Sequence, residues 1–214
     1  MVLCTASLED RVPDHRVGRG GWLTAEYQMA PGSTGRRSAR ESARGRVQGR
    51  TQEIQRLIGR SLRAALPLNH LPEVTLTIDC EVLQADGGTR TASITGGWVA
   101  LALAVETLRA QGRWTAPTRL RGISAVSAGV VDGEPRVDLP YAEDVRADVD
   151  GNFVRADCGG WIEVQATAED GVLPRYHLDA LLALSGGALD HIWALQQQAL
   201  GPAWCARWLT GDAG

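Results

Sequence analysis

The residues most able to do chemistry are Asp86-Gly87-Gly88-Thr89-Arg90-Thr91, between an alternating apolar stretch and a long apolar run. Glycine lets the backbone approach an anion closely. The first N–H groups of a helix have no intrahelical partner, and the helix dipole adds positive potential above them. Arg90 contributes a planar, permanently charged fork that matches phosphate. Together these make a phosphate cradle, although a plain turn capping a helix uses the same glycines. It is not a P-loop, because the G-x-x-x-x-G-K spacing and the lysine are absent. Gly49-Arg50-Thr51 opens a second helix in a similar way. If the fold brings the two helix starts together, Arg50 and Arg90 can hold one phosphate jointly.

Two further clusters stand out. Gly35-Arg36-Arg37-Ser38-Ala39-Arg40, extended by Arg44 and Arg46, is a basic patch. Arginines with no aromatic residue among them suit backbone phosphates more than stacked bases; a solvated loop would have the same composition. Glu143 to Asp150 is acidic, with Asp144, Asp148 and Asp150 as candidate ligands for Mg²⁺, a hard cation that takes few protein ligands when phosphates supply the rest. On a straight strand Asp144 and Asp150 would stand about 20 Å apart, so sharing an ion requires the chain to turn between them. Otherwise the segment is an acidic surface loop. The four histidines have no nucleophile motif nearby, and there is no G-x-S-x-G, H-E-x-x-H or G-x-G-x-x-G.

The elements that must position these residues alternate in type. Met1 to Ser7, Trp22 to Met29 and Val74 to Leu83 read as strands. Thr51 to Leu66 reads as an amphipathic helix, with Ile54, Leu57, Ile58, Leu62 and Ala65 on one face and Pro67 ending it. A second helix, about Ala92 to Gln111, is apolar almost all round and should be buried. Arg121 to Val131 reads as a strand, turned by Asp132-Gly133 into Arg136 to Leu139. Asn152 to Arg155 and Trp161 to Ala166 form another hairpin around Cys158-Gly159-Gly160. A last helix runs from about Leu178 to Ala199. With no repeat and no linker, the reading is one α+β domain.

Composition narrows the classes. The 214 residues, 44% of them apolar, suffice for a buried core. The start lacks the pattern of a signal peptide, and the longest unbroken apolar run, Trp98 to Val105, is too short to span a bilayer, so a cytoplasmic protein without membrane contact is expected. The cysteines at 4, 80, 158 and 205 lack zinc spacing, and Cys80 reads as a small core residue. The net charge of −3 conceals an asymmetry: residues 1–63 carry twelve arginines against six acids, and the rest carry ten against nineteen. A basic half on an acidic chain points to a polyanion partner.

These pieces resemble the RNase PH family of phosphate-dependent 3′ exoribonucleases. The resemblance rests on Gly49-Arg50-Thr51 with Glu53 to Ile58, on Asp79-Cys80 through Gly96, and on Ile162-Glu163-Val164-Gln165 with Thr167-Ala168-Glu169. It implies an α+β fold like the second domain of ribosomal protein S5, with mixed sheets and packed helices. It implies phosphate binding by Arg50, Gly88, Thr89 and Arg90. It makes Asp144 and Asp150 the paired catalytic and Mg²⁺-associated aspartates, and Arg37 and Arg40 the arginines that engage RNA. The expected partners are tRNA precursors rather than DNA, and five further copies of the chain in a hexamer built as a trimer of dimers. The implied activity is 3′-to-5′ trimming with inorganic phosphate as co-substrate, a tRNA nucleotidyltransferase reaction. A non-catalytic ring-forming or RNA-binding relative, or an inactive truncated fragment, is the alternative. Gly32, Ala166 and Gly151 depart from the family's usual arginine, glycine and methionine. The family's usual opening of about forty residues before the equivalent of Val2 is also absent, so either the true start lies upstream or the chain is a shortened one with an exposed strand edge.

Overall fold

The computed structural model describes residues 1–41, 45, 47–114 and 119–209. Arg44 and Arg46 lie outside the described residues. The chain forms β1 (Val2–Glu9), β2 (Trp22–Met29), α1 (Gly49–Arg63), β3 (Thr75–Val82), α2 (Thr89–Ala110), β4 (Ile123–Val131), β5 (Glu134–Val137), α3 (Tyr141–Asp144), β6 (Val149–Ala156), β7 (Trp161–Ala168), α4 (Arg175–Leu200) and α5 (Pro202–Trp208).

Two sheets result. The first has the order β1-β3-β2, with β1 antiparallel and β2 parallel to the central β3. The second has the order β5-β4-β6-β7 and is antiparallel throughout. Period-two alternation in β3 sends Leu76, Ile78, Cys80 and Val82 into the core. The face of α1 read from the sequence is buried there: Ile54, Leu57, Ile58 and Leu62 are at most 2% exposed. Burying such a side chain contributes about 1.5–3 kcal/mol. Arg56 is exposed, Arg60 donates from Nη2 to Glu163 Oε1 at 2.7 Å, and the Arg63 guanidinium lies 4.9 Å over the Trp22 ring. β4 is buried along its whole length, between α2 on one side and α4 on the other. The architecture is a mixed α+β fold, as the sequence reading expects.

The differences have physical reasons. α2 begins at Thr89, three residues earlier than its apolar pattern, because Gly88 takes the left-handed conformation (φ +69°) and ends the turn there. Its burial is incomplete, since Leu103 is exposed. Unbroken apolar runs also understate the helices: α2 and α4 are each long and apolar enough, by length and composition, to cross a bilayer. In this fold α2 instead buries Ile94, Trp98, Leu101 and Val105 in the core. The Asp132-Gly133 hairpin forms as expected, with both residues at positive φ. Two short helices have no counterpart in the periodicity. α3 has only four residues, and α5 restarts after Gly201 with Pro202 in its first turn. β1 is a sheet edge, and Leu3 and Leu8 on it are exposed.

Candidate phosphate and RNA site

Both helix starts meet at one cavity of about 1040 Å³. Arg50 from α1, Gly88, Thr89 and Arg90 from the turn into α2, Asp144 from α3 and Asp150 from β6 all line it. The long gap between the two aspartates is closed by α3 and the turn after it: Asp144 N donates to Pro140 O at 2.9 Å, Ala147 N to Asp144 O at 3.2 Å, and Asp148 N to Val130 O at 2.8 Å. The chain then enters β6, where Asp150 pairs with Gly129. Asp148, the third candidate, is exposed and lies outside the cavity lining.

The turn is built to leave its donors free. Among the described residues no side chain caps α2, and Gly88, Thr89 and Arg90 at its start line the cavity, where the first N–H groups of a helix lack intrahelical partners. Tyr27, buried on β2, shares a hydrogen bond with Thr89 Oγ1 at 3.0 Å. Glu53 on α1 accepts from Arg90 Nη2 at 3.2 Å. Asp86 Oδ1 accepts from Gly87 N at 3.0 Å and from Tyr141 N at 2.6 Å, which ties the turn to α3. A side chain at Gly87 would stand 1.8 Å from Leu139 O, so only glycine permits this approach. Two buried donors on the cavity wall, Arg90 Nε and Ser127 Oγ, have no partner among the described residues. Orphaned donors beside two arginines call for a ligand rich in acceptors.

Electrostatics separate the carboxylates. Burial pushes the Asp144 carboxyl above its usual range, and the nearby Asp150 charge pushes the same way, while Arg50 and Arg90 oppose both. Burial also raises Asp150, with Arg90 opposing it and Glu169 reinforcing it. Carboxylates held against their own ionisation gain from a cation between them. Among the described residues, no three His, Cys, Asp or Glu side chains converge as a metal cage. Mg²⁺ needs no such cage, since one or two carboxylates and substrate phosphates suffice. Asp144 and Asp150 therefore fit it.

The basic patch divides. Arg36 lines the cavity with Thr34 and Gly35. Arg37 is exposed outside the cavity lining, and Arg40 is also outside, paired with Glu81 at 3.4 Å. A side chain at Gly32 would meet nothing within 4 Å, so no steric demand explains that glycine. Gly151 is different: a side chain there would lie 2.8 Å from the Phe153 ring. Sequence reasoning gave no role to Tyr27, Glu53, Asp86, Ser127 or Tyr141. For Asp86 the signal was present, because an Asp just before a glycine turn accepts backbone N–H groups.

Comparisons with known proteins follow the same lines. The chain resembles rice (Oryza sativa) Rrp46, with a TM-score of 0.71 and 17% identity over 93% of this chain and 83% of that one. It resembles the Archaeoglobus fulgidus exosome with RNA bound to the active site, with a TM-score of 0.74 and 16% identity over 92% of this chain and 79% of that one. The fold is thus the one on which exosome-core subunits are built. The model of the 3′ exoribonuclease family, domain 1, matches residues 1–105. Ribonuclease PH of Mycolicibacterium smegmatis is 57% identical over 201 residues, covering 93% of this chain and 78% of that protein. Ribonuclease PH of Mycobacterium bovis is 58% identical over the same shares. The chain belongs to the RNase PH family of 3′ exoribonucleases.

Proposed function

We propose that the protein shortens RNA from its 3′ end by phosphorolysis, releasing nucleoside diphosphates. The observation that carries this reading is the convergence of Arg50, Gly88, Thr89, Arg90, Asp144 and Asp150 on one cavity. The attacking reagent, inorganic phosphate, is already an anion and needs no strong base. The difficulty is bringing it against the phosphodiester, a second anion. Arg50, Arg90 and the free N–H groups of α2 neutralise the phosphate and orient it for attack, which is the positional part of catalysis. An Mg²⁺ ion held by Asp144 and Asp150 would stabilise charge developing on the transferred phosphoryl group and the leaving oxygen. Proton delivery to the departing 3′-oxygen by Asp150 ranks below its metal role, because a carboxylate that holds the ion carries no proton to give.

The substrates are tRNA precursors, in keeping with the Ribonuclease PH relatives. The RNA path runs over Arg36, which lines the cavity, with Arg37 and Arg40 engaging the backbone further out. The working form is a cytoplasmic hexamer, a trimer of dimers. Exposed Tyr176, Leu184 and Leu195 on α4 supply apolar surface for such contacts.

The test incubates the protein and Mg²⁺ with an RNA carrying extra 3′ nucleotides, with and without phosphate. Nucleoside diphosphates should form only with phosphate. Monophosphates released without it would indicate hydrolysis and overturn the mechanism.

A further inference from the structure

An enzyme that removes any terminal nucleotide must hold its base without reading it. Hydrogen bonds to base edges discriminate, whereas stacking does not, because every base has a π-face. The basic patch contains no aromatic residue in sequence. The fold brings one in from elsewhere: Tyr141, the one aromatic side chain among the described residues lining the cavity.

Its setting is unusual for an aromatic residue. Tyr141 is 62% exposed, and its side chain makes no hydrogen bond or ring contact among the described residues. Its backbone is nevertheless firmly held, since Tyr141 N donates to Asp86 Oδ1 at 2.6 Å. The same carboxylate oxygen takes Gly87 N, so the ring's position is linked to the phosphate turn. Tyr141 and Asp144 are three residues apart in α3, on one side of its single turn. A nucleotide stacked on the ring thus has its sugar and phosphodiester beside Asp144, with the cradle at Gly88–Arg90 lining the same cavity.

Resting on the phosphorolytic reading, we infer that Tyr141 is the platform on which the 3′-terminal base of the RNA stacks, fixing the scissile phosphodiester against the bound phosphate. The contact is sequence-tolerant and costs little ordering, because a ring on an anchored backbone has few rotamers to lose.

The test pairs protein and substrate changes. Tyr141→Ala, Tyr141→Phe and Tyr141→Trp are assayed on an ordinary RNA and on one whose 3′-terminal nucleotide lacks its base but keeps its sugar and phosphodiester. On ordinary RNA, Tyr141→Ala should lower kcat/KM for RNA roughly 5- to 150-fold, the range of one lost base–aromatic stack. The KM for phosphate should be unchanged, and Phe and Trp should restore activity. On the abasic RNA, the parent protein and Tyr141→Ala should be equal. Equal loss on both RNAs would mark a merely structural role and overturn the inference, as would no loss on either. Binding of RNA with 2-aminopurine at its 3′ end, without phosphate, reads the stack independently of turnover. The parent protein should quench the fluorescence and Tyr141→Ala should not. A parent protein that quenches but releases no nucleoside diphosphate would overturn phosphorolysis while leaving the platform standing.

Discussion

Glu53 on α1 and Arg90 on α2 form an ion pair at 3.2 Å that joins the two helix starts. Both side chains are partly exposed, so the pair adds less than about 1 kcal/mol to stability. Its value lies in direction: it fixes the guanidinium whose buried Nε remains unpaired. Glu53→Ala should raise the KM for phosphate by about 3- to 10-fold while leaving the melting temperature and the KM for RNA nearly unchanged, an expectation drawn from the loss of one charge-assisted hydrogen bond. Phosphate titrations at saturating RNA decide it; equal changes in both KM values would argue against the assignment.

Tyr27→Phe is a narrower probe of the same turn. The substitution removes only the hydroxyl that meets Thr89 Oγ1 at 3.0 Å. Burial raises the Tyr27 phenol, although the Thr89 bond and the charges of Arg50 and Arg90 pull it back, so the hydroxyl is neutral at any working pH. The loss should cost about 0.5–1.5 kcal/mol of stability, visible in urea unfolding. It should also weaken phosphate use several-fold, because Thr89 Oγ1 then lacks its fixed partner. An unchanged phosphate KM would mean the bond serves the core alone.

How much of this was legible beforehand differs by scale. Period-two and period-3.6 patterns revealed β2, β3 and α1 because each buries one face against a layer. Asp132-Gly133 revealed its hairpin because only such residues tolerate the two positive φ values found there. The glycine turn was legible as a cradle, and the block around it as a family signature. The convergence of Arg50 and Arg90 was not, because nothing within either segment encodes how α1 packs on α2. α3 was invisible for another reason: four residues cannot display a helical period, and the side chain that holds its first N–H, Asp86, lies 55 residues earlier in the chain.

Asp86 sets a pH dependence. Backbone donation from Tyr141 and then Gly87 holds its carboxyl below the usual range. A group with a lowered folded-state pKa contributes stability that is present above its unfolded value, 3.8, and is lost as pH falls through the folded value. Asp86→Asn retains an acceptor but no charge. The melting-temperature gap between parent and variant should therefore be largest near neutrality and close below pH 3.8. A gap that widened on acidification would contradict the assignment.

Asp150→Asn separates chemistry from binding. The amide keeps the shape of the side chain but neither binds Mg²⁺ well nor supplies a proton at the cavity wall. Turnover should fall by about 100-fold or more, the usual scale for removing a group that stabilises transition-state charge. RNA affinity, measured by filter binding without phosphate, should hold within about 2-fold, since most binding comes from arginine contacts to the RNA backbone that the substitution leaves in place. Undiminished turnover would remove Asp150 from the reaction.

Gly87→Ala tests whether the turn and α3 are one unit. The added methyl would stand 1.8 Å from Leu139 O and 2.9 Å from Leu139 C, both backbone atoms that no rotamer change can move. Relief requires the segment carrying Tyr141 and Asp144 to shift away from the phosphate turn. Stability should drop by about 1–3 kcal/mol. Because positional errors of about 1 Å can cost about 100-fold in rate, activity should fall far more than the melting temperature suggests. Gly32→Ala is the matched control, since its methyl would meet nothing within 4 Å. If Gly87→Ala kept both its phosphate KM and its kcat, the close approach of Leu139 to the turn would have no part in holding the site together.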